Sequence, residues 1–189
     1  MLLKLIEVHS PNGELIIGNG EQRIWNNEGG IEMSYQHFEK AMSMAPKCHF
    51  FMTAGGRTHE EILRSEELLG INFSKQCLEF YKQHGYLSFY GNEIFGVDPT
   101  GDSGILAGNS VAYALNDRKE YNLPKEWIPL YDYSDGFMAY LDYSHLNSEN
   151  EPSVIVAIYT GNGYEISETI AEDFGDFLLQ LVQQQLESQ

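Results

Sequence analysis

The sequence predicts an α+β fold: a largely antiparallel sheet flanked by an N-terminal helix pair and a C-terminal helix, with an extra N-terminal β-hairpin. Three observations predict it. Between Arg57 and Gly85, two amphipathic segments carry helix start and stop signals. From Trp127 to Tyr159, three strand candidates follow one another with turn-forming residues between them. A stripe of apolar residues at helical spacing then closes the chain over Ile170–Val182.

Taken in order, Leu2–Val8 and Glu14–Gly18 bracket Ser10-Pro11-Asn12-Gly13, where proline sets φ and Asn-Gly accepts positive φ; this reads as a hairpin. Gln22–Trp25 is a possible third strand, and Asn26 to Gly30 is a loop. Ser34–Ala45 reads as a helix with Tyr35, Phe38, Met42 and Ala45 inward, stopped by Pro46. A short apolar run, Cys48–Met52, precedes the Gly55-Gly56 break. Thr58 and Glu61 are spaced as a capping box, with Ile62, Leu63, Leu68 and Leu69 as the buried stripe and Gly70 as the left-handed stop. Ser74 caps the second helix, and Phe73 and Leu78 stand at the staple positions. Cys77, Leu78, Phe80 and Tyr81 face inward, and Gly85 ends the helix. The first strand of the sheet is then expected at Glu93–Val97.

Asp98 to Gly104 is a polar loop, and Asn109 or Ser110 caps a helix that runs to about Tyr121 before Leu123-Pro124. Strands are expected at Trp127–Tyr131, Phe137–Tyr143 and Ser153–Tyr159. Tyr133-Ser134-Asp135-Gly136 turns between the first two, Ser144–Pro152 joins the second to the third, and Thr160 to Gly163 closes the third. The last helix is expected to start at Thr169, with Glu172 as its capping-box partner. Ile170, Phe174, Phe177, Leu178, Leu181 and Val182 form its inner stripe, Asp173, Asp176, Gln180 and Gln184 face water, and the Gln-rich end frays.

With 189 residues, 42% hydrophobic and 13% aromatic, the chain suits one globular domain over 1–189. Its core is expected at 50–182, with residues 1–33 as the hairpin extension. Only two cysteines occur, Cys48 and Cys77, both in apolar surroundings, so a reducing cytoplasm is the expected location. MLLKLIEV carries Lys4 and Glu7 and is read as neither signal peptide nor membrane span. The longest aliphatic run, Val154–Ile158, is too short to cross a bilayer.

Charge is the most informative bulk property. The net formal charge is −17, from 11 basic and 28 acidic residues. Residues 1–91 hold 8 Lys/Arg and 11 Asp/Glu, whereas residues 92–189 hold 3 and 17. No Lys or Arg follows Lys125, while 12 carboxylates do. That half opposes nucleic acid and anionic membranes and would steer a basic protein toward it; charge serving only to keep the protein dispersed is the other reading.

The residue constellations do not build an enzyme. Six histidines show no HxxxH spacing, there is no CxxC, and the adjacent Cys48-His49 would point to opposite faces of an extended chain, so no metal is expected. Cys77 lies on an inner helix stripe as a small hydrophobe, and His84 is explained by a favourable charge–dipole contact at the helix C-terminus. Gly55-Gly56-Arg57 lacks the lysine and preceding strand of a nucleotide site. Asp98 with Asp102 and Asp132 with Asp135 could pair as general acid and base, yet aspartate is common in turns because it bonds its own backbone. Trp127, Tyr131, Tyr133, Tyr140, Tyr143, Tyr159 and Tyr164 accompany the acidic turns; they suit either a protein-binding hot spot or strand core.

Several short motifs recur in a characteristic order. These are R-T-x-x-E-I from Arg57, E-x-L-L-G ending at Gly70, a helix closing on His84-Gly85, and E-I-F-G-V from Glu93. They are followed by Leu123-Pro124, Asp135-Gly136, Leu141-Asp142, Pro152-Ser153-Val154 and I-A-E-D-F from Ile170. Over about Phe50 to Leu181 this order resembles the SUKH superfamily, which takes in bacterial toxin-immunity proteins and the domain of yeast cell-wall assembly regulators. The chain departs from it by having Ser74 where a proline commonly opens the second helix, and a single glycine near Gly85 in place of a doublet. The resemblance implies a non-enzymatic protein without cofactor that binds and silences a secreted polymorphic toxin, often a nuclease. A regulatory scaffold of the cell-wall assembly type is the alternative. A basic toxin would meet an acidic face, with Asp98, Asp102, Trp127, Asp132, Tyr133, Asp135 and Asp142 as partner-binding candidates. A monomer or weak dimer is expected.

Overall fold

The structure, a computed structural model, describes residues 30–100 and 108–189. The expected N-terminal hairpin, the possible strand at Gln22–Trp25 and the candidate Asp102 lie outside the described residues. The described elements are α1 (Gly30–Met44), a short 3-10 turn (Ala45–Lys47), β1 (Met52–Thr53), α2 (His59–Leu69), α3 (Lys75–Gln83), β2 (Leu87–Phe89), β3 (Asn92–Ile94), α4 (Ser110–Glu120), β4 (Trp127–Asp132), β5 (Phe137–Leu146), β6 (Pro152–Tyr159), β7 (Tyr164–Ala171) and α5 (Phe174–Glu187). Two antiparallel sheets, β1-β2-β3 and β4-β5-β6-β7, accompany the helices, so the α+β class holds.

The local signals of α2 act as read. Thr58 Oγ1 accepts from Glu61 N at 3.2 Å, and Glu61 Oε2 accepts from Thr58 N at 2.7 Å. Gly70 closes the helix at φ 69°. Ile62 and Leu69 are buried, but Leu63 is 45% exposed and leaves the expected stripe. The buried face runs through Ser65 instead, which hides its hydroxyl by donating to Glu61 O. Ser74 also departs from expectation, because its hydroxyl makes no bond to the first turn of α3. The acceptor there is Glu151 Oε1, from the turn before β6, 3.0 Å from Gln76 N. Gln76 Oε1 in turn accepts from Gly175 N at the start of α5. A chain of side-chain caps therefore ties α3 to α5.

The expected strand Glu93–Val97 is instead the second arm of a hairpin, β3, turned at Tyr90 and Gly91 with φ 49° and 86°. Beyond it the chain bridges the sheets: Phe95 N donates to Leu130 O, and Gly96 N to Gly108 O. Gly96 is required at that crossing, since a Cβ there would stand 1.3 Å from Gly85 O.

The largest correction concerns β7. Residues Tyr164–Ala171 pair with β6 from Tyr159↔Tyr164 to Val154↔Ala171, so Thr169 sits in a strand and caps no helix. Its Thr-x-x-Glu spacing is coincidental, and the strand was hard to see because most of its residues are exposed and polar. The helix begins after Asp173, whose side chain accepts from Asp176 N at 3.0 Å; Asp173 is 1% exposed and so does not face water. Phe174, Phe177, Leu178 and Val182 are buried as expected. The Gln-rich end stays helical to Glu187, and Gln185 Oε1 accepts from Asn92 Nδ2 at 3.3 Å.

α1 and α5 pack against each other, with Phe38 and Phe80 rings 5.9 and 5.1 Å from Phe174. Strand alternation, with a bulge between Pro129 and Tyr131, sorts the four-stranded sheet into two faces. Tyr131, Ala139 and Leu141 share one face, where Tyr131 meets Phe177 of α5 at 6.0 Å. Trp127 and Tyr140 share the other, which α4 partly covers.

Candidate functional site

The face toward α4 keeps an open groove of about 470 Å³, lined by Asp117, Tyr121, Asp132, Ser134, Gly136, Phe137, Met138, Tyr140, Tyr159 and Tyr164. The helix is held in place from its first residue. Asn109 Oδ1 accepts from Val111 N and Ala112 N, and Ser110 Oγ donates to Pro129 O at 2.6 Å. This registers Asp117 and Tyr121, one helical turn apart, over the sheet. Tyr164 Oη donates to Asp117 Oδ2 at 3.2 Å. The rings continue as a chain: Tyr121 to Tyr159 at 5.0 Å, Tyr159 to Tyr164 at 5.4 Å, Tyr164 to Tyr140 at 6.0 Å, and Tyr140 to Trp127 at 5.5 Å.

The groove's electrostatics are one-sided. Burial pushes the Tyr140 and Tyr164 hydroxyls well above the ordinary phenol range; Asp117 adds to both, and Asp132 adds to Tyr140. Both phenols therefore stay neutral hydrogen-bonding groups. Among the described residues neither Asp117 nor Asp132 has a salt bridge. The basic residues of α4 are otherwise engaged. Arg118 donates to Leu69 O at 2.8 Å and to Lys125 O at 2.5 Å, and Lys119 pairs with Glu120 at 2.6 Å.

Of the residues singled out from sequence, Asp132, Tyr133 and Asp135 come together on the exposed β4–β5 turn. Asp132 Oδ1 accepts from Ser134 N at 2.7 Å and Asp135 Oδ1 from Phe137 N at 3.1 Å, and Ser134 carries φ 62°. Tyr133 is 40% exposed, with its ring 4.8 Å from Tyr131. Asp98 is elsewhere, beside Arg57. Bonds from Thr100, helped by the Arg57 charge, hold its carboxyl below the usual range. Trp127 and Asp142 are 7% and 2% exposed, so neither presents a side chain to a partner. Asp142 Oδ1 accepts instead from Ser144 N and its hydroxyl, and Oδ2 pairs with His145.

Sequence reasoning missed Asp117 and Tyr121. Their i, i+4 spacing on a helix expected to start at Asn109 or Ser110 and to run to about Tyr121 would have placed them on one face, beside the tyrosines it did single out. The helix-dipole reading of His84 is opposed by burial, which lowers its pKa and so disfavours the charged form; the ring lies 6.1 Å from Phe80. Cys77 behaves as an inert hydrophobe, its thiol pushed up to about 12 by burial. Among the described residues no His, Cys, Asp or Glu group gathers to hold a metal, and no helix is long and apolar enough to cross a membrane.

The profile of the SMI1 / KNR4 family (SUKH-1) matches residues 56–180, well over half of the chain. The chain belongs to that family. The match runs from just before α2 into α5 and so takes in α4, the four-stranded sheet and the whole groove. SUKH domains are in general non-catalytic immunity or regulatory domains. None of the curated proteins matches the chain.

Proposed function

We propose that this protein is an immunity protein that binds a cognate secreted toxin, with a nuclease as the best-fitting class, and occludes its cationic surface with an acidic face. One observation carries the reading. The four-stranded sheet and its turns contain no Lys or Arg, and one face opens an aromatic groove onto Asp117 and Asp132, with Asp135 exposed on the adjoining turn. A nuclease must grip phosphates and so presents the complementary charge. Tyrosines beside carboxylates supply large contact area with polar ends, the composition of interface anchors.

Co-expression with the cognate toxin is expected to rescue growth. Purified proteins should associate fast and in a salt-sensitive manner. The Asp132→Asn/Asp135→Asn double variant should lower the low-salt on-rate by about tenfold, with a smaller change in dissociation. Rescue failing while another cellular protein binds the groove would favour the regulatory role that the family also contains. An on-rate unchanged in the double variant would remove the acidic hairpin from the interface.

A further inference from the structure

We propose that the groove between α4 and the four-stranded sheet takes one arginine side chain of the protein partner, its guanidinium laid against Tyr121 and Tyr159 and facing Asp117 and Asp132. This rests on the reading above only in that the partner is a basic protein; it adds which chemical group is recognised, and where.

Four observations converge on it. The aromatic ends are accessible, with Tyr121 and Tyr159 exposed by 42% and 39%, and their rings sit 5.0 Å apart at 54°, a cleft wall with electron-rich faces. The carboxylates flank it without a cation of their own among the described residues. Asp117 is pre-oriented, taking Tyr164 Oη on one oxygen and Asn116 Nδ2 on the other, at 3.2 and 3.0 Å. The nearest basic side chains along the chain are tied elsewhere: Arg118 to backbone carbonyls and Lys119 to Glu120.

The shape and charge select the ligand. A planar, weakly hydrated guanidinium both stacks on aromatic faces and bonds carboxylates in its plane, whereas an ammonium is a strongly hydrated point charge. At about 470 Å³ the groove has room for a side chain with the backbone that carries it. A second copy of this chain is a poor source, because a net charge of −17 on each copy opposes their approach. Nucleic acid is repelled by the same carboxylates.

The test is an NMR titration of the full chain with three capped tripeptides, acetyl-Gly-Arg-Gly-amide and its lysine and citrulline counterparts. Citrulline keeps the shape of arginine and removes the charge. Saturable shifts are expected at the end of α4, in the β4–β5 turn and over Tyr159 to Tyr164, with arginine tightest and citrulline at least about fivefold weaker. Tyr159→Leu and Asp132→Asn should each weaken arginine binding by about three- to tenfold, while Asp135→Asn, on the same turn but outside the groove lining, should change it less than twofold. The amide spectrum of each variant reports whether it has folded. Equal binding of arginine and citrulline, or shifts spread evenly over exposed carboxylates such as Glu172 and Glu187, would overturn the proposal. Growth rescue separates the two claims. Rescue without peptide binding discards the arginine site and keeps the immunity reading, and peptide binding without rescue does the reverse.

Discussion

One face of the four-stranded sheet lies under α5 and is closed with aliphatic and aromatic carbon: Ala139 and Leu141 are fully buried there, and Phe177 meets Tyr131. The opposite face, carried by the same strands, is surfaced with tyrosines, of which Tyr164 donates its hydroxyl to Asp117, and leaves room for a ligand. Two pairs of carboxylates make the same contrast. Near α5, Glu151 and Asp173 are 2% and 1% exposed and accept from backbone N–H groups at helix starts. Around the groove, Asp117 and Asp132 remain accessible to something outside the chain. The difference teaches that a residue type does not announce its role. The same Asp or Glu is a structural cap where helix N-termini converge and stays accessible where aromatic rings do.

The largest effect that could break this contrast is a cavity. Leu141→Ala, at a fully buried position on the closed face, should cost about 2–5 kcal/mol in urea unfolding, with the spread set by how far the site relaxes. Tyr159→Leu on the open face gives up two aromatic contacts but little burial, and should cost no more than about 1–2 kcal/mol. Comparable losses at the two positions would mean that the groove is ordinary core.

The next effect concerns Glu151 and has a definite sign with pH. Burial is the main cause that raises its carboxyl pKa, with Asp173 and Glu149 adding to it. A carboxyl whose folded pKa lies above its unfolded value opposes folding once it is ionised. That cost is absent below the unfolded pKa of about 4.3 and fully present above the folded one. Glu151→Gln keeps an acceptor for Gln76 N and removes the charge. It should therefore match the parent near pH 4 and be the more stable of the two at pH 7, as read from urea midpoints. Glu151→Ala removes the acceptor itself and should lose about 1–2 kcal/mol at both pH values. A glutamine variant less stable than the parent at pH 7 would show that the helix terminus favours the carboxylate more than burial opposes it.

How much of this was legible in sequence depends on the range of the interaction. The two ends of α2 could be read from sequence, because Thr58, Glu61 and Gly70 act within their own helix, while its buried face ran through Ser65 and not Leu63. β4, β5 and β6 were placed within a few residues by β-branched and aromatic runs between strong turns. β7 was not, since an edge strand of mostly exposed polar residues has little apolar alternation, and Thr169 with Glu172 imitated a cap. The α3 cap was beyond reach for another reason: Glu151 lies 75 residues from Gln76, and local spacing cannot encode that contact. The site was half visible. The aromatic run and the Asp132–Asp135 turn stood out, but Trp127 and Asp142 proved buried, and Asp117 came into the groove only through the docking of α4.

The smallest effect gives the sharpest comparison, because it changes a single atom on the open face. Tyr164→Phe removes the hydroxyl that Asp117 Oδ2 accepts and leaves the ring contacts with Tyr140 and Tyr159 in place. Asp117 is only partly buried, so water can replace the lost donor, and the stability change should stay below about 1 kcal/mol. The carboxylate would then be freer to turn and less fixed toward the groove. The variant should accordingly hold its urea midpoint while binding the arginine tripeptide about two- to threefold more weakly, the signature of lost orientation without lost packing. A large fall in stability with unchanged peptide binding would instead make the Tyr164–Asp117 bond a structural strut, and would move Asp117 to the same class as Glu151 and Asp173.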